Sequence, residues 1–146
     1  MRAHVQRVSR ARVSVEGRVV GEIGVGALVL LGVRKGDSEE DARRLSQRCA
    51  DLRFFPNERG NLNLSMAEAR GSFLVISQFT LYADTRGGRR PSFTEAAPGA
   101  DAEPLYSLFC GELERRGFHV ARGVFGAMMD VELVNQGPVT LLLDQP

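Results

Sequence analysis

Hydrophobic and polar positions alternate at period two through the first third of the chain. His4–Val8 (HVQRV) and Ala11–Gly17 (ARVSVEG) each read as a strand, Glu16–Arg18 can turn, and Val19–Val33 (VVGEIGVGALVLLGV) supplies two further strands. The period then becomes helical. In Asp37–Leu52 (DSEEDARRLSQRCADL), Asp37 or Ser38 can cap a helix, with Glu40 or Asp41 three residues on as the capping-box partner. Ala42, Leu45, Cys49 and Leu52 fall on one apolar face of that helix. A second helix is expected from about Asp101 to Arg116, with Leu105, Leu108, Phe109 and Leu113 inward, an Arg115–Arg116 pair at its negative end and Gly117 as the stop.

Between the helices, Ser72–Asp84 (SFLVISQFTLYAD) opens with a continuous apolar run, the mark of a strand covered on both faces. Thr85–Gly99 is rich in Gly, Pro, Arg and Ser and reads as a long surface loop. FHVARG, MMDVELV and VTLLLD then read as three more strands. The order of strands, helix, strand, helix and strands predicts one α/β domain over residues 1–146, with mixed sheets and two main helices.

Composition narrows the chemistry. Charged residues make up 25% and hydrophobic residues 43% of the 146, as in ordinary globular proteins. The longest apolar stretch, Ala27–Val33, is far shorter than the roughly 20 residues that cross a bilayer. The N-terminal residues break every apolar pair with Arg, Gln or His, unlike a signal peptide, so a cytoplasmic protein with no membrane partner is expected. Cys49 and Cys110 are far apart and each lies in a helical pattern, which predicts buried thiols rather than a disulfide. His4 and His119 have no carboxylate at ligand spacing, so neither a metal nor a cofactor is expected.

The net charge of +1 creates no general attraction for nucleic acid. Lys35 is nevertheless the only lysine among 19 basic residues. Codon bias explains that; so does phosphate recognition, because the planar guanidinium grips phosphate through two parallel donors. Clusters at Arg2, Arg7, Arg10 and Arg12 and at Thr85–Pro91 (TRGGRRP) keep the second reading open.

No GxSxG, P-loop, HExxH or Cys–His pair is present. Gly24 and Gly26 precede a strand and lack the third glycine of a dinucleotide fingerprint. What stands out is polarity in apolar company. Ser77, Gln78 and Thr80 interrupt a buried strand, either to satisfy backbone groups at its end or to floor a polar pocket. In the second case Thr80 is a candidate nucleophile, although no base adjoins it in sequence, and Gln78 or a backbone N–H is a candidate oxyanion donor. The second place is Asn135–Thr140 (NQGPVT), which either simply turns the chain or holds a cis Gly–Pro bond, whose cost is only about 0.5–1 kcal/mol. A cis bond would set two carbonyl oxygens on one side, able to accept from an ammonium group.

These two stretches resemble the signature motifs of the D-aminoacyl-tRNA deacylases: SQFTL at Ser77–Leu81, and NQGPVT, which fits that family's N-x-G-P-V-T at every fixed position. The similarity extends through QRV, VSVEG, GEIGVGALVLLGV, ADTRGGRRPSF and GVFGAMM, nearly the whole chain. The resemblance implies a three-layer β/β/α sandwich, a homodimer and hydrolysis of the ester of D-aminoacyl-tRNA and of mischarged glycyl-tRNA. It implies that Gly137 and Pro138 form a cis peptide that enters the partner's pocket, binds the substrate's amino group and collides with an L side chain. It further implies that Arg7 fixes that motif, with Asn135 part of it, that Phe79, Phe125 and Met129 line the pocket, and that attack is assisted by the substrate's own ribose hydroxyl while backbone donors near Phe79 and Thr80 stabilise the oxyanion. Ser77, Gln78, Phe79 and Thr80 are then the catalytic group, Thr80 in a positioning role, with tRNA phosphates falling to Arg86, Arg89 and Arg90. Two other classes remain open: a related editing module for a wrong L-amino acid, and a non-catalytic RNA-binding protein, for which no RNP-type aromatic motif is present.

Overall fold

In the computed structural model, which describes residues 1–146, Glu16 and Gly17 both adopt positive φ (51° and 76°) and turn β1 (Arg2–Val15) back on β2 (Arg18–Ile23). That geometry matches the twist of paired strands. β2 and β3 (Gly26–Gly32) follow one another along one edge of β1, while β8 (Asp130–Asp144) runs along the other. β6 (Ser72–Ser77) and β7 (Val120–Arg122) extend the sheet from β3 in parallel. The parallel steps are made through α1 (Glu39–Asp51) and α2 (Gly99–Arg115), because parallel neighbours need a long crossover. β4 (Phe55–Pro56) and β5 (Leu62–Leu64) form a small separate hairpin.

Alternation divides the side chains of β3 and β6 between two cores. Ala27, Val29, Leu31, Phe73 and Val75 face Leu45, Cys49, Phe109 and Leu113 of the helices. Leu28, Leu74 and Ile76 face the opposite way, onto Val8, Ala11, Val13 and Ile23. The sheet therefore bends over itself, and the layers are helix, sheet and folded-over sheet. β1 serves both cores because its pairing with β8 shifts register between Gln6 and Arg10. Ala3 and Val5 lie in the first core, and Val8, Ala11 and Val13 in the second.

Both helices form where the periodicity placed them. Ser38 caps α1 with Asp41 as its reciprocal partner, while Asp37 turns away to accept from the Arg34 amide at 2.6 Å. α2 begins at Gly99, slightly before the expected Asp101, and buries Tyr106 and Cys110 in addition to Leu105, Phe109 and Leu113. Two strand boundaries differ from the sequence expectation. HVQRV and ARVSV belong to one 14-residue strand, and DVELV and VTLLLD are joined within the single 15-residue β8, which Met128 and Met129 precede. Gly26 has a packing reason of its own: a Cβ there would lie 1.8 Å from the Ser72 carbonyl oxygen.

Candidate active site

After four buried apolar residues, β6 ends at Ser77. Its last rung is the Gln78 amide donating to Leu31 O at 2.8 Å, after which Phe79–Tyr82 coil into a 3₁₀ turn. The first donors of any helical turn have no acceptor inside it. Here the Phe79 and Thr80 amides meet no other backbone acceptor either, whereas Leu81 N donates to Gln78 O (3.3 Å) and Ala83 N to Thr80 O (3.0 Å). Two adjacent N–H groups are thus left unpaired beside exposed side chains. Phe79 is 56% exposed and meets Phe93 edge-on at 5.1 Å between centroids. The Thr80 hydroxyl accepts from the Gln78 side-chain amide. An amide donor cannot take the hydroxyl's proton, so this arrangement does not activate Thr80 as a nucleophile.

β7 lies beside β6, and its outgoing turn reaches the same end of the sheet, where Gly123 N donates to Val75 O at 3.3 Å. This turn carries Phe125 and Met129. Phe125 tilts against Tyr106 at 6.0 Å, and the Met129 sulfur lies where a Cβ on Gly123 would come within 2.7 Å. Both flank the carboxyl ends of parallel strands, the usual place for ligands in α/β sheets. Burial pushes the Tyr106 hydroxyl up, and it donates to Val75 O at 2.8 Å as a structural strut.

The other motif lies elsewhere. Asn135 pairs with Val8 and Thr140 with Gln6, so residues 136–139 all stand opposite Arg7 alone and are forced out of the strand as a loop. Its base is tied in two ways. Buried Arg7 donates to Phe54 O (2.5 Å) and Gln136 O (3.2 Å), and Asn135 Nδ2 donates to Arg7 O (2.9 Å) and Val139 O (3.0 Å). Val139 anchors the loop in the core, while Gly137 and Pro138, joined by a cis peptide bond, are exposed.

Register shows that one chain does not bring the motifs together. Ser77 shares a row with Leu31, Ala3 and Leu143, whereas the Gly–Pro loop belongs to the row of Arg7, Ala27 and Phe73. Four residues along a strand at about 3.3 Å and three strands across at about 4.8 Å amount to roughly 20 Å along the sheet.

The arginine loop is closed by paired backbone hydrogen bonds between Asp84 and Ser92 (2.7 and 2.8 Å). Arg86 grips Asp84 through Nε (2.9 Å) and Nη2 (2.8 Å), and this holds the Asp84 carboxyl well below the usual carboxylate range. Arg86 is thereby largely neutralised, while Arg89 and Arg90 stand exposed in the turn. A cleft of about 710 Å³ lies between β1, β2 and β8, lined by Arg10, Ala11, Ile23 and Leu133. It holds an Arg12–Glu132 ion pair but neither motif, and size alone does not make it the reactive centre. No three His, Cys, Asp or Glu side chains gather as a metal site, and no helix is long and apolar enough to cross a membrane.

Residues 4–144 match the family model described as D-Tyr-tRNA(Tyr) deacylase. The chain belongs to this family. A D-aminoacyl-tRNA deacylase of Roseiflexus castenholzii is 57% identical over 144 residues, covering 99% of this chain and 92% of that one. A D-aminoacyl-tRNA deacylase of Halalkalibacterium halodurans is 52% identical and covers 99% of each. Among solved structures, one titled c-Myc DNA Unwinding Element Binding Protein superposes with a TM-score of 0.93 at 37% identity, covering 100% of this chain and 99% of that one. A probable eukaryotic D-amino acid tRNA deacylase shares the fold at a TM-score of 0.83 and 17% identity, over 97% of each chain. Arg2, marked in the sequence only as one of an arginine cluster, and Gly32, not singled out there, both contact the Phe79–Tyr82 turn.

Proposed function

We propose that the chain hydrolyses the ester of D-aminoacyl-tRNA, and of mischarged glycyl-tRNA, as a homodimer in the cytoplasm. The Gly137–Pro138 loop of one protomer stands over Ser77–Thr80 of the other. The observation that carries this reading is the roughly 20 Å gap along the sheet between an exposed, tethered loop and a pair of unpaired amides. Each half is built to face something outside its own chain.

In the reaction, water adds to the ester carbonyl, assisted by the free hydroxyl of the terminal ribose. The Phe79 and Thr80 amides receive the developing oxyanion, a contribution worth about 10²–10³ in rate per donor. Collapse breaks the bond between the acyl carbon and the ribose oxygen. That oxygen takes the proton, and free tRNA and amino acid leave. Gln78 orients Thr80 and Ser77 ends the strand at the site, while Phe79, Phe125 and Met129 wall the pocket. The loop carbonyls accept from the substrate's ammonium group, and the loop itself occupies the space an L side chain would need. A wall of backbone rejects by repulsion, which discriminates enantiomers better than an added attraction. Glycine has no side chain to reject. Arg89 and Arg90, with Arg86 if it exchanges Asp84 for phosphate, meet the tRNA backbone.

The test is deacylation of D-, L- and glycyl-tRNA by the same preparation, with mass measured in solution. Hydrolysis of D and glycyl esters by a dimer is expected. Preferential cleavage of L esters would favour an L-specific editing module, and tRNA binding without turnover a non-catalytic binder.

A further inference from the structure

The 3₁₀ turn that carries the Phe79 and Thr80 amides lies outside the sheet ladder, so something must hold it in place. Its seat is Gly32. A Cβ there would lie 3.1 Å from Leu81 Cβ, 3.1 Å from Tyr82 Cε2 and 3.2 Å from Gln78 O, so the turn rests directly on bare backbone. Gly32 is the cross-strand neighbour of Arg2, and Arg2 is the neighbour of Asp144. From that row Arg2 reaches over the empty position. Its Nε donates to Asp144 Oδ1 at 2.6 Å, its Nη1 donates to Leu81 O at 2.9 Å, and its guanidinium carbon lies 4.9 Å from the centre of the Tyr82 ring. A planar group with a carboxylate on one side, a carbonyl on another and an aromatic face alongside has little freedom left.

The geometry points to Arg2, oriented by Asp144, as a positioning residue for the reaction: it clamps the Phe79–Tyr82 turn and so aims the two amides. This rests on the reading of those amides as oxyanion donors. Direct phosphate contact suits Arg2 less well, because the adjoining carboxylate cancels its charge and two of its donors are engaged. Misplacement of a reacting geometry by about 1 Å costs about 10²-fold in rate. A turn that keeps its seat on Gly32 moves less than that, so Arg2→Ala should lower the limiting single-turnover rate by roughly 10- to 100-fold.

The experiment measures that rate, the half-saturating enzyme concentration and its salt dependence with one D-aminoacyl-tRNA, alongside amide exchange across Gln78–Ala83. Arg2→Ala should slow the limiting rate, leave half-saturation and salt slope near wild type, and speed exchange in the turn. Arg2→Lys should not restore the rate, since one ammonium cannot serve Asp144, Leu81 O and the Tyr82 ring together. Gly32→Ala leaves Arg2 in place but pushes on the turn through its contacts with Leu81, Tyr82 and Gln78, and should give the same kinetic signature. It decides the matter if Arg2→Ala does not fold. An unchanged rate in a folded Arg2→Ala would overturn the proposal, whatever Gly32→Ala does; if Arg2→Ala does not fold, an unchanged rate in Gly32→Ala would. So would a weaker half-saturation with a salt slope reduced by about one, which marks a phosphate contact. If the wild type cleaves no aminoacyl-tRNA, the deacylase reading fails by itself; unchanged exchange in Arg2→Ala then rejects the clamp separately.

Discussion

On the proposed reading, replacing Arg7 by Ala should separate selectivity from catalysis. The substitution removes the donors from two carbonyls, Phe54 O and Gln136 O. Phe54 is 3% exposed, so water does not replace the lost partner easily, and an unsatisfied buried acceptor costs about 1–3 kcal/mol. Gln136 is exposed, water substitutes, and the net loss there is about 1 kcal/mol. Removing a buried cation that has no carboxylate partner returns part of this. A destabilisation of about 2–3 kcal/mol remains, which for a chain of this size lowers the melting temperature by roughly 6–10 °C. The part that matters for function is the loop. Freed from its 3.2 Å tether, it yields to an L side chain with about 1–1.5 kcal/mol less resistance, or roughly tenfold less discrimination. The assay is the ratio of D to L deacylation rates for wild type and variant at matched enzyme concentration, with glycyl-tRNA as the reference that, on the proposed reading, does not press on the loop. L hydrolysis should rise relative to D, and the glycyl rate should change least. Uniform slowing of all three substrates with an unchanged ratio would refute the tether and leave Arg7 a role in folding or assembly alone.

Thr80→Ala should keep its single-turnover rate within about tenfold of wild type, because the only side chain bonded to the hydroxyl is an amide donor; a loss near 10⁴-fold or a trapped acyl-threonine would restore covalent catalysis. Gly26→Ala should destabilise by about 3 kcal/mol or more, read from the urea midpoint, since its Cβ would meet the Ser72 backbone at 1.8 Å; a normal midpoint would show that the strands part at little cost. Burial pushes the Cys49 thiol up to about 12 and the Cys110 thiol up to about 11, so neither should react with a thiol reagent at pH 8 until the chain unfolds. Unfolded thiols ionise near 9 while the folded ones hold their protons, so this contribution to stability is complete below pH 9 and is lost as pH rises through 11 and 12. A urea midpoint that does not fall between pH 8 and pH 10.5, measured against a Cys49→Ala, Cys110→Ala control, would contradict it.

Much of this architecture was legible along the chain, because its causes are local. The Ser38–Asp41 capping box, the inward face of Leu45 and Cys49, and the Glu16–Gly17 turn each depend on residues within a few positions. The covered β6 showed as an uninterrupted apolar run, and SQFTL and NQGPVT as polar or turn-forming residues where apolar ones belong. The clamp at Arg2 was not legible, since its partners Leu81, Tyr82 and Asp144 are 79 or more positions away.

What tertiary structure alone decided follows from register, which local pattern does not carry. Alternation in β1 read as two strands, because it shifts phase between Gln6 and Arg10; pairing with β8 across that shift makes it one strand serving two cores. The same pairing leaves four residues of β8 opposite Arg7 alone, and this turns an apparent strand-to-strand turn into a projecting loop. It also places that loop in a different row from Ser77, so the two motifs that sequence sets side by side as signatures stand apart on one protomer. Side-chain periodicity tells a strand which face is inward. Only its hydrogen-bonded neighbours determine how far along the sheet each residue comes to rest.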